Sequence, residues 1–165
     1  DNADLVSEQG FQDMKLHMEF NMDANSNSGV YLRGRYEVQI LDSYENRTYA
    51  DGGATAIYGQ TAPLVNASRK PGEWQAYDII FEGPRFNDDG TVAKKAVVTV
   101  LHNGVVTQAH QRILGATKWR ELASYEAHAD ALPIGLQDHG VAVAYRNIWA
   151  RRLNLEEEAS ASTSR

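Results

Sequence analysis

Cysteine, long apolar runs and clusters of basic residues are all missing from this chain. Without cysteine there can be no disulfide, no thiolate nucleophile and no cysteine-ligated zinc or iron–sulfur site. No run approaches the roughly 18 apolar residues that a membrane-spanning helix needs, so no span is predicted. The net charge of −6 and the scattered lysines and arginines disfavour nucleic acid as a partner.

Alternation of apolar and polar residues is the clearest pattern that is present. From Met14 to Met22 every second residue is apolar, which predicts a strand with one buried face. Asn103-Gly104 lies between two apolar segments and predicts a tight hairpin. Further strands are predicted at 30–33, 36–41, 54–58, 74–81, 96–101, 105–109, 133–137 and 141–149. Many short strands with only a weak helix signal at 119–128 predict an all-β sandwich or barrel.

The chain length of 165 residues suits one domain with a substantial core. We assign that domain to residues 1–153. The last twelve residues carry three consecutive glutamates followed by serine, alanine and threonine, a composition typical of a disordered tail. The predicted tail therefore covers 154–165.

The segment 33–42, which contains the predicted strand at 36–41, carries an unusually polar face. Its apolar residues occupy one parity, and the other parity holds Arg33, Arg35, Glu37 and Gln39. A solvated strand face is one interpretation of this row. The alternative is a binding face, because cations, a carboxylate and an amide together can pair with the hydroxyls of a sugar.

Two carboxylates and one histidine are the candidate catalytic groups. A β-bulge would bring Asp42 onto the same face as Glu37, and paired carboxylates are the machinery of conventional glycosidases. His139 lies beside Asp138 and near Gln137, and histidine exchanges a proton near neutral pH. The sequence contains no ligand spacing typical of a metal site and no nucleophile elbow, so neither a metal nor another cofactor is predicted.

Five ordered motifs carry a resemblance to a known family. They are the segments Asn27 to Asp42, Arg69 to Gln75, Val98 to Val105, Pro133 to Gly140 and Tyr145 to Trp149. In this order they resemble the 3-keto-disaccharide hydrolase family of bacteria. The likeness runs from about Leu5 to Leu153. The family usually begins with an additional segment that includes a Gly-Trp stretch, so we expect one or two strands of the sandwich to be missing here.

The resemblance implies a concanavalin-like jelly roll whose concave face binds a sugar. It also implies cleavage of glycosides already oxidised to a ketone at C3, and export to the periplasm or outside the cell. Glu37 or His139 would be the base, and Arg33, Arg35 and Arg146 would stabilise negative charge. The remaining expected substrate contacts are His102, Gln39, Gln137 and Asn147. A non-catalytic carbohydrate-binding module and a conventional two-carboxylate glycosidase stay open as alternatives.

Overall fold

The computed structural model describes residues 4–155, which contain eleven β-strands and one short 3-10 helix joined by loops. No helix in this described part is long and apolar enough to cross a membrane. Most of the predicted tail, from residue 156 onward, lies outside the described residues. The 3-10 helix spans Ala50–Gly52, and the strands are β1 (Leu5–Phe11), β2 (Met14–Met22), β3 (Asn27–Leu32), β4 (Tyr36–Leu41), β5 (Gln75–Glu82), β6 (Arg85–Phe86), β7 (Val92–Lys94), β8 (Val97–His102), β9 (Val105–Arg112), β10 (Leu132–Leu136) and β11 (Val143–Arg152).

Two antiparallel sheets face each other across one core. The first has the order β1-β10-β3-β4 and the second the order β11-β2-β5-β8-β9, while β6 and β7 form a separate small hairpin. This arrangement confirms the predicted all-β sandwich of two antiparallel sheets. The predicted hairpin is also confirmed: β8 pairs with β9, and Asn103 and Gly104 both adopt positive φ, at 52° and 81°.

The apolar parity of each strand points into the space between the sheets. Leu16, Met18 and Phe20 of β2 are buried there, as are Val30 and Leu32 of β3. Tyr36, Val38 and Ile40 complete the core side of β4. Because side chains alternate along a strand, residues 31, 37 and 39 must project from the opposite, outer face of the four-stranded sheet.

The structure differs from the predictions in several segments, and the short strands β6 and β7 were not predicted. The predicted strand at 54–58 is absent: this part of the β4–β5 connection lies along the edge of β4 and pairs only through single bridges, such as Val38 with Ile57. Residues 119–128 form a loop rather than helical turns. β1 was not predicted, because its sequence is mostly polar and its outer side chains are exposed. β1 forms because it pairs with β10, so there tertiary pairing decides the backbone conformation and local pattern does not.

Candidate active site

A polar cavity of about 370 Å³ opens on the outer face of the four-stranded sheet. Strands β3 and β4 form its floor, since Tyr31, Glu37 and Gln39 all project from them on this side. The connections after β4, β9 and β10 form its walls. The lining residues are Asn27, Tyr31, Glu37, Gln39, Tyr58, Thr117, Trp119, Gln137 and His139.

Glu37 is the central titratable group of this floor. Its side chain is only 4% exposed, and burial raises the pKa of the carboxyl to about 7. Tyr31 lies directly opposite in the β3–β4 register, and its hydroxyl donates a hydrogen bond of 2.9 Å to Glu37 Oε2, which lowers that pKa in part. The pKa of Tyr31 is raised by burial and by the neighbouring carboxylate, so the phenol keeps its proton. The pair therefore presents a carboxyl that titrates near neutral pH beside a permanent hydrogen-bond donor.

Gly29 provides the space in which the Glu37 carboxylate lies. A Cβ atom built at Gly29 would approach Glu37 Oε1 to 2.5 Å, closer than real Cβ contacts come. Gly29 is paired with Gln39 in the β3–β4 ladder, one residue pair along from Val30 and Val38. A glycine inside a strand often marks a close approach by another group. Here that group is the candidate catalytic carboxylate.

Amide side chains complete the floor and one wall. The Gln39 Nε2 donates to the carbonyl of Gly52 at 3.3 Å, which fixes the orientation of the amide. Its Oε1 and the Oδ1 of Asn27 are buried and have no hydrogen-bond partner within residues 4–155. Gln137 Nε2 reaches the Tyr31 hydroxyl at 3.5 Å. Buried acceptors without partners are unusual in proteins, and on a cavity lining they are suited to hydroxyl donors of a ligand.

Two loops are tied to the backbone of β4 on either side of Glu37. Thr117 accepts a hydrogen bond from the Glu37 amide at 3.0 Å and donates its own amide to the Arg35 carbonyl at 2.8 Å. Tyr58 donates its amide to the Glu37 carbonyl at 3.3 Å, and its hydroxyl accepts from Tyr49. Both walls are therefore positioned by the same strand that carries the carboxylate.

Four of the ten predicted site residues meet at this cavity: Glu37, Gln39, Gln137 and His139. His139 is exposed and lies at the rim, beyond the end of β10. Gln137 is fixed through its backbone, whose amide donates to Gly29 and whose carbonyl accepts from Ser28. A carboxylate, two amides and a histidine among the predicted site residues therefore line the same cavity.

The structure does not place Asp42 with Glu37. The β3–β4 register runs without a bulge from Asn27–Leu41 to Leu32–Tyr36, so Asp42 stays on the other parity and beyond the strand end. Its two carboxylate oxygens accept the backbone amides of Asn25 and Tyr44. The expected catalytic role of Asp42 is corrected to that of a turn-stabilising residue.

Arg33 and Arg35 also lie away from the cavity lining. The Arg33 side chain is buried, and its guanidinium donates to the carbonyls of Gln12 and Pro84 at 3.0 and 3.5 Å. Gly83 makes room for it, because a Cβ there would lie 2.0 Å from Arg33 Nη2. Arg35 follows the β3–β4 turn and is not part of the described lining; its carbonyl accepts the amide of Thr117 in the cavity wall. The expected substrate contact of Arg33 is thus replaced by a structural one.

The other three predicted contacts belong to the five-stranded sheet. His102 is buried against Phe20 and Tyr77 and pairs with Gln75 Oε1 at 2.8 Å; burial lowers its pKa to about 4. Arg146 and Asn147 lie on the outer face of that sheet, where both hold the carboxylate of Glu19. The Arg146 guanidinium also covers the ring of Trp74 at 3.8 Å. None of the three lines the cavity.

The fold adds five residues to the site that sequence reasoning did not select: Asn27, Tyr31, Tyr58, Thr117 and Trp119. Tyr31 has a usable signal, because it alternates with the core residues Val30 and Leu32 and so must share the outer face with Glu37. The three residues in the walls have no such signal, since they reach the cavity through loops.

A larger cavity of about 450 Å³ lies elsewhere, between β1 and β11, and its lining is mostly apolar. Among the described residues, Glu8 is the only titratable side chain of its lining, so residues 4–155 provide no set of groups for acid–base chemistry there. Within residues 4–155, no group of three or more histidine, aspartate or glutamate side chains is placed to hold a metal ion. The polar cavity is therefore the candidate active site.

Comparison with known proteins gives a consistent assignment. A crystal structure described as a "putative glycosyl hydrolase" from Parabacteroides distasonis superposes with a TM-score of 0.87 at 45% identity, over 91% of this chain and 68% of that one. A second crystal structure from Parabacteroides distasonis with the same description is 20% identical, has a TM-score of 0.68 over 93% of this chain and 84% of that one, and shows the shared fold. No functionally curated protein matches the chain. The family model described as the 3-keto-alpha-glucoside-1,2-lyase-like domain matches residues 1–151, and the chain belongs to this family, the 3-keto-disaccharide hydrolases.

Proposed function

We propose that this protein cleaves the glycosidic bond of glycosides that carry a ketone at C3, with Glu37 as the base that removes the C2 proton. The observation that carries the proposal is a buried carboxyl with a pKa of about 7 on the floor of a polar, sugar-sized cavity. A base whose pKa lies near the working pH combines a useful ionised fraction with good proton affinity. The glycoside-hydrolase-like role is supported by the family and by the neighbouring structures.

The ketone explains why a single carboxylate is enough. A carbonyl at C3 acidifies the hydrogen at C2, so Glu37 takes that proton and the electron pair forms an enolate. The enolate then expels the C1 substituent, the C1–O bond breaks, and the departing oxygen takes up a proton. Water adds at C1 and a proton returns to C2, which completes the hydrolysis. General acid–base steps of this kind each contribute about 10²–10⁴-fold to a rate.

The remaining cavity residues fit supporting roles. His139 at the rim is the donor we assign to the departing oxygen, since it is the one histidine of the described lining and an imidazole can both give and take a proton. Tyr31 positions the Glu37 carboxylate through its hydrogen bond. The free acceptors on Gln39 and Asn27 suit sugar hydroxyls.

A conventional two-carboxylate mechanism has less support. It needs a second carboxyl within about 5–9.5 Å of the first, facing the same bond. Glu37 is the only carboxylate of the described lining, and Asp42 is engaged by two backbone amides elsewhere. This arrangement favours chemistry that depends on the oxidised sugar.

Sugar release from a 3-keto glucoside, beside its unoxidised parent, tests the proposal. We expect turnover of the keto form alone, and a loss of at least about 100-fold in Glu37→Gln, because glutamine keeps the shape but cannot take a proton. Glu82→Gln is the matched control, since Glu82 lies at the end of β5 in the five-stranded sheet and pairs with Lys94 of β7, away from the cavity lining. Full activity of Glu37→Gln, or equal turnover of the unoxidised parent, would contradict the proposal. Binding without any turnover would favour a carbohydrate-binding module instead.

A further inference from the structure

We infer that Trp119 is the platform on which the leaving group of the substrate stacks, so that the site favours glycosides whose C1 substituent is itself a ring. This inference rests on the proposed function. It concerns a part of the cavity that the acid–base chemistry does not use. Trp119 lines the cavity together with Glu37, yet its side chain is 70% exposed. A large aromatic side chain at the mouth of a polar cavity is unusual, because indole is costly to leave in water.

The ring of Trp119 contacts the guanidinium of its neighbour. The Arg120 guanidinium lies 4.4 Å from the indole centroid, within the range of a cation–π contact. Arg120 itself has a positive φ of 58°, in the left-handed region. With one face of the indole covered by the guanidinium, the opposite face is the one available to a ligand.

The loop that carries Trp119 is anchored at both ends. Ala116 and Ser124 form a β-bridge at its base, and Gly115 permits their close approach, since a Cβ there would lie 2.4 Å from the Ser124 backbone. Lys118 contacts Ser124 and Glu126 from within the loop. Thr117 connects the loop to the amide of Glu37. The platform and the catalytic carboxylate are thus joined through one hydrogen bond and two residues of chain.

The position of Trp119 relative to Glu37 identifies the part of the substrate that it contacts. Glu37 is on the floor, so the ring that carries C1 and C2 must enter the cavity. A cavity of about 370 Å³ is at the lower end of the range for small-molecule sites, about 300–1,000 Å³, which suits one enclosed sugar ring. The group attached to C1 then lies at the mouth, where the indole can stack against the apolar face of a second ring.

A comparison of two leaving groups tests this inference. The substrates are a 3-keto disaccharide, whose leaving group is a sugar ring, and methyl 3-keto-α-glucoside, whose leaving group is methanol. For Trp119→Ala we expect kcat/KM on the disaccharide to fall roughly tenfold, equivalent to about 1.4 kcal/mol, with most of the change in KM. Activity on the methyl glycoside should change less than twofold by this reasoning. Trp119→Phe should recover much of the loss, because a smaller aromatic platform remains.

Leu122→Ala is the control on the same loop, since Leu122 is 94% exposed and is not part of the lining. It should behave like the unmodified protein on both substrates. Equal losses on both substrates in Trp119→Ala, or no loss on either, would overturn the inference. If the unmodified protein turns over neither substrate, the proposed function itself fails, which is a different result from an active protein that is indifferent to Trp119.

Discussion

Replacing Tyr31 with phenylalanine should raise the pKa of Glu37, and the size of the change follows from the site. The mutation removes the 2.9 Å hydrogen bond that lowers this pKa and leaves the ring in place. A hydrogen bond to a charged group is worth about 1.5–3 kcal/mol, and one pKa unit corresponds to about 1.4 kcal/mol. Tyr31 is only half-buried, so water can replace part of the interaction. We therefore take the lower figure and expect a rise of about one unit, from about 7 towards 8.

This shift has a kinetic consequence that can be measured. At pH 7 about half of Glu37 is ionised in the unmodified protein, and about a tenth would be ionised in Tyr31→Phe. On a 3-keto glycoside, the rate of Tyr31→Phe relative to that of the unmodified protein should then be about one fifth at pH 7 and return to about one by about pH 9, because the acid limb of the kcat/KM profile moves up by one unit. Carboxyl ¹³C chemical shifts, followed against pH without substrate, report the same pKa independently of activity. An acid limb that stays in place or moves to lower pH would refute the reasoning.

Three other substitutions test the account of Glu37 and of Arg33. Glu37→Gln should stabilise the fold above pH 7. The folded-state pKa of Glu37 is raised, so the contribution of this carboxyl to the free energy of unfolding is present below about pH 4.5 and is lost as the pH rises through 7. The loss amounts to up to about 3 kcal/mol, and thermal unfolding of the variant and the unmodified protein at pH 5 and pH 8 would measure it. Gly29→Ala should displace the Glu37 carboxylate and lower kcat at least tenfold with little change in Tm, since the group that must move is the end of a flexible side chain; unchanged kcat would contradict this reading. Arg33→Met should lower the free energy of unfolding in urea by about 3 kcal/mol, because it leaves two backbone carbonyls without their buried donor. The KM of the folded fraction should not change. A raised KM in a stable variant would instead restore Arg33 as a substrate contact.

Strand alternation accounts for the part of the fold and site that sequence reasoning could predict. The pattern from Met14 to Met22 reproduces β2 residue for residue, because one sheet face is buried along its whole length. The same parity rule put Glu37 and Gln39 on an outer face, and the structure places both on the cavity floor. Applied one strand earlier, it would also have selected Tyr31.

Long-range placement accounts for what the sequence could not predict. Arg33 shares its parity with Glu37, but it falls in the β3–β4 turn with a positive φ of 55° and its side chain enters the interior. Arg146 belongs to a motif of the family, yet β11 pairs with β2 in the other sheet, so Arg146 meets Glu19 and Trp74 on a separate face. No alternating pattern surrounds Trp119, because this residue reaches the cavity from a loop. The local sequence pattern therefore predicts which face of a strand a side chain occupies, whereas the topology of the sheets and loops determines which of these side chains meet in the site.

The central claim is that Glu37 removes the proton at C2, and deuterium incorporation tests it most directly. A 3-keto glycoside is cleaved in D₂O, and the released keto sugar is analysed by NMR for deuterium at C2, with the product alone incubated as a control for spontaneous exchange. The account predicts one deuterium at C2 in each product molecule from the unmodified protein, and neither cleavage nor exchange with Glu37→Gln. Cleavage that retains the original hydrogen at C2, and that is not slowed when the substrate carries deuterium at C2, would contradict it. A proton that Glu37 removed and then returned would still give a primary isotope effect on the rate.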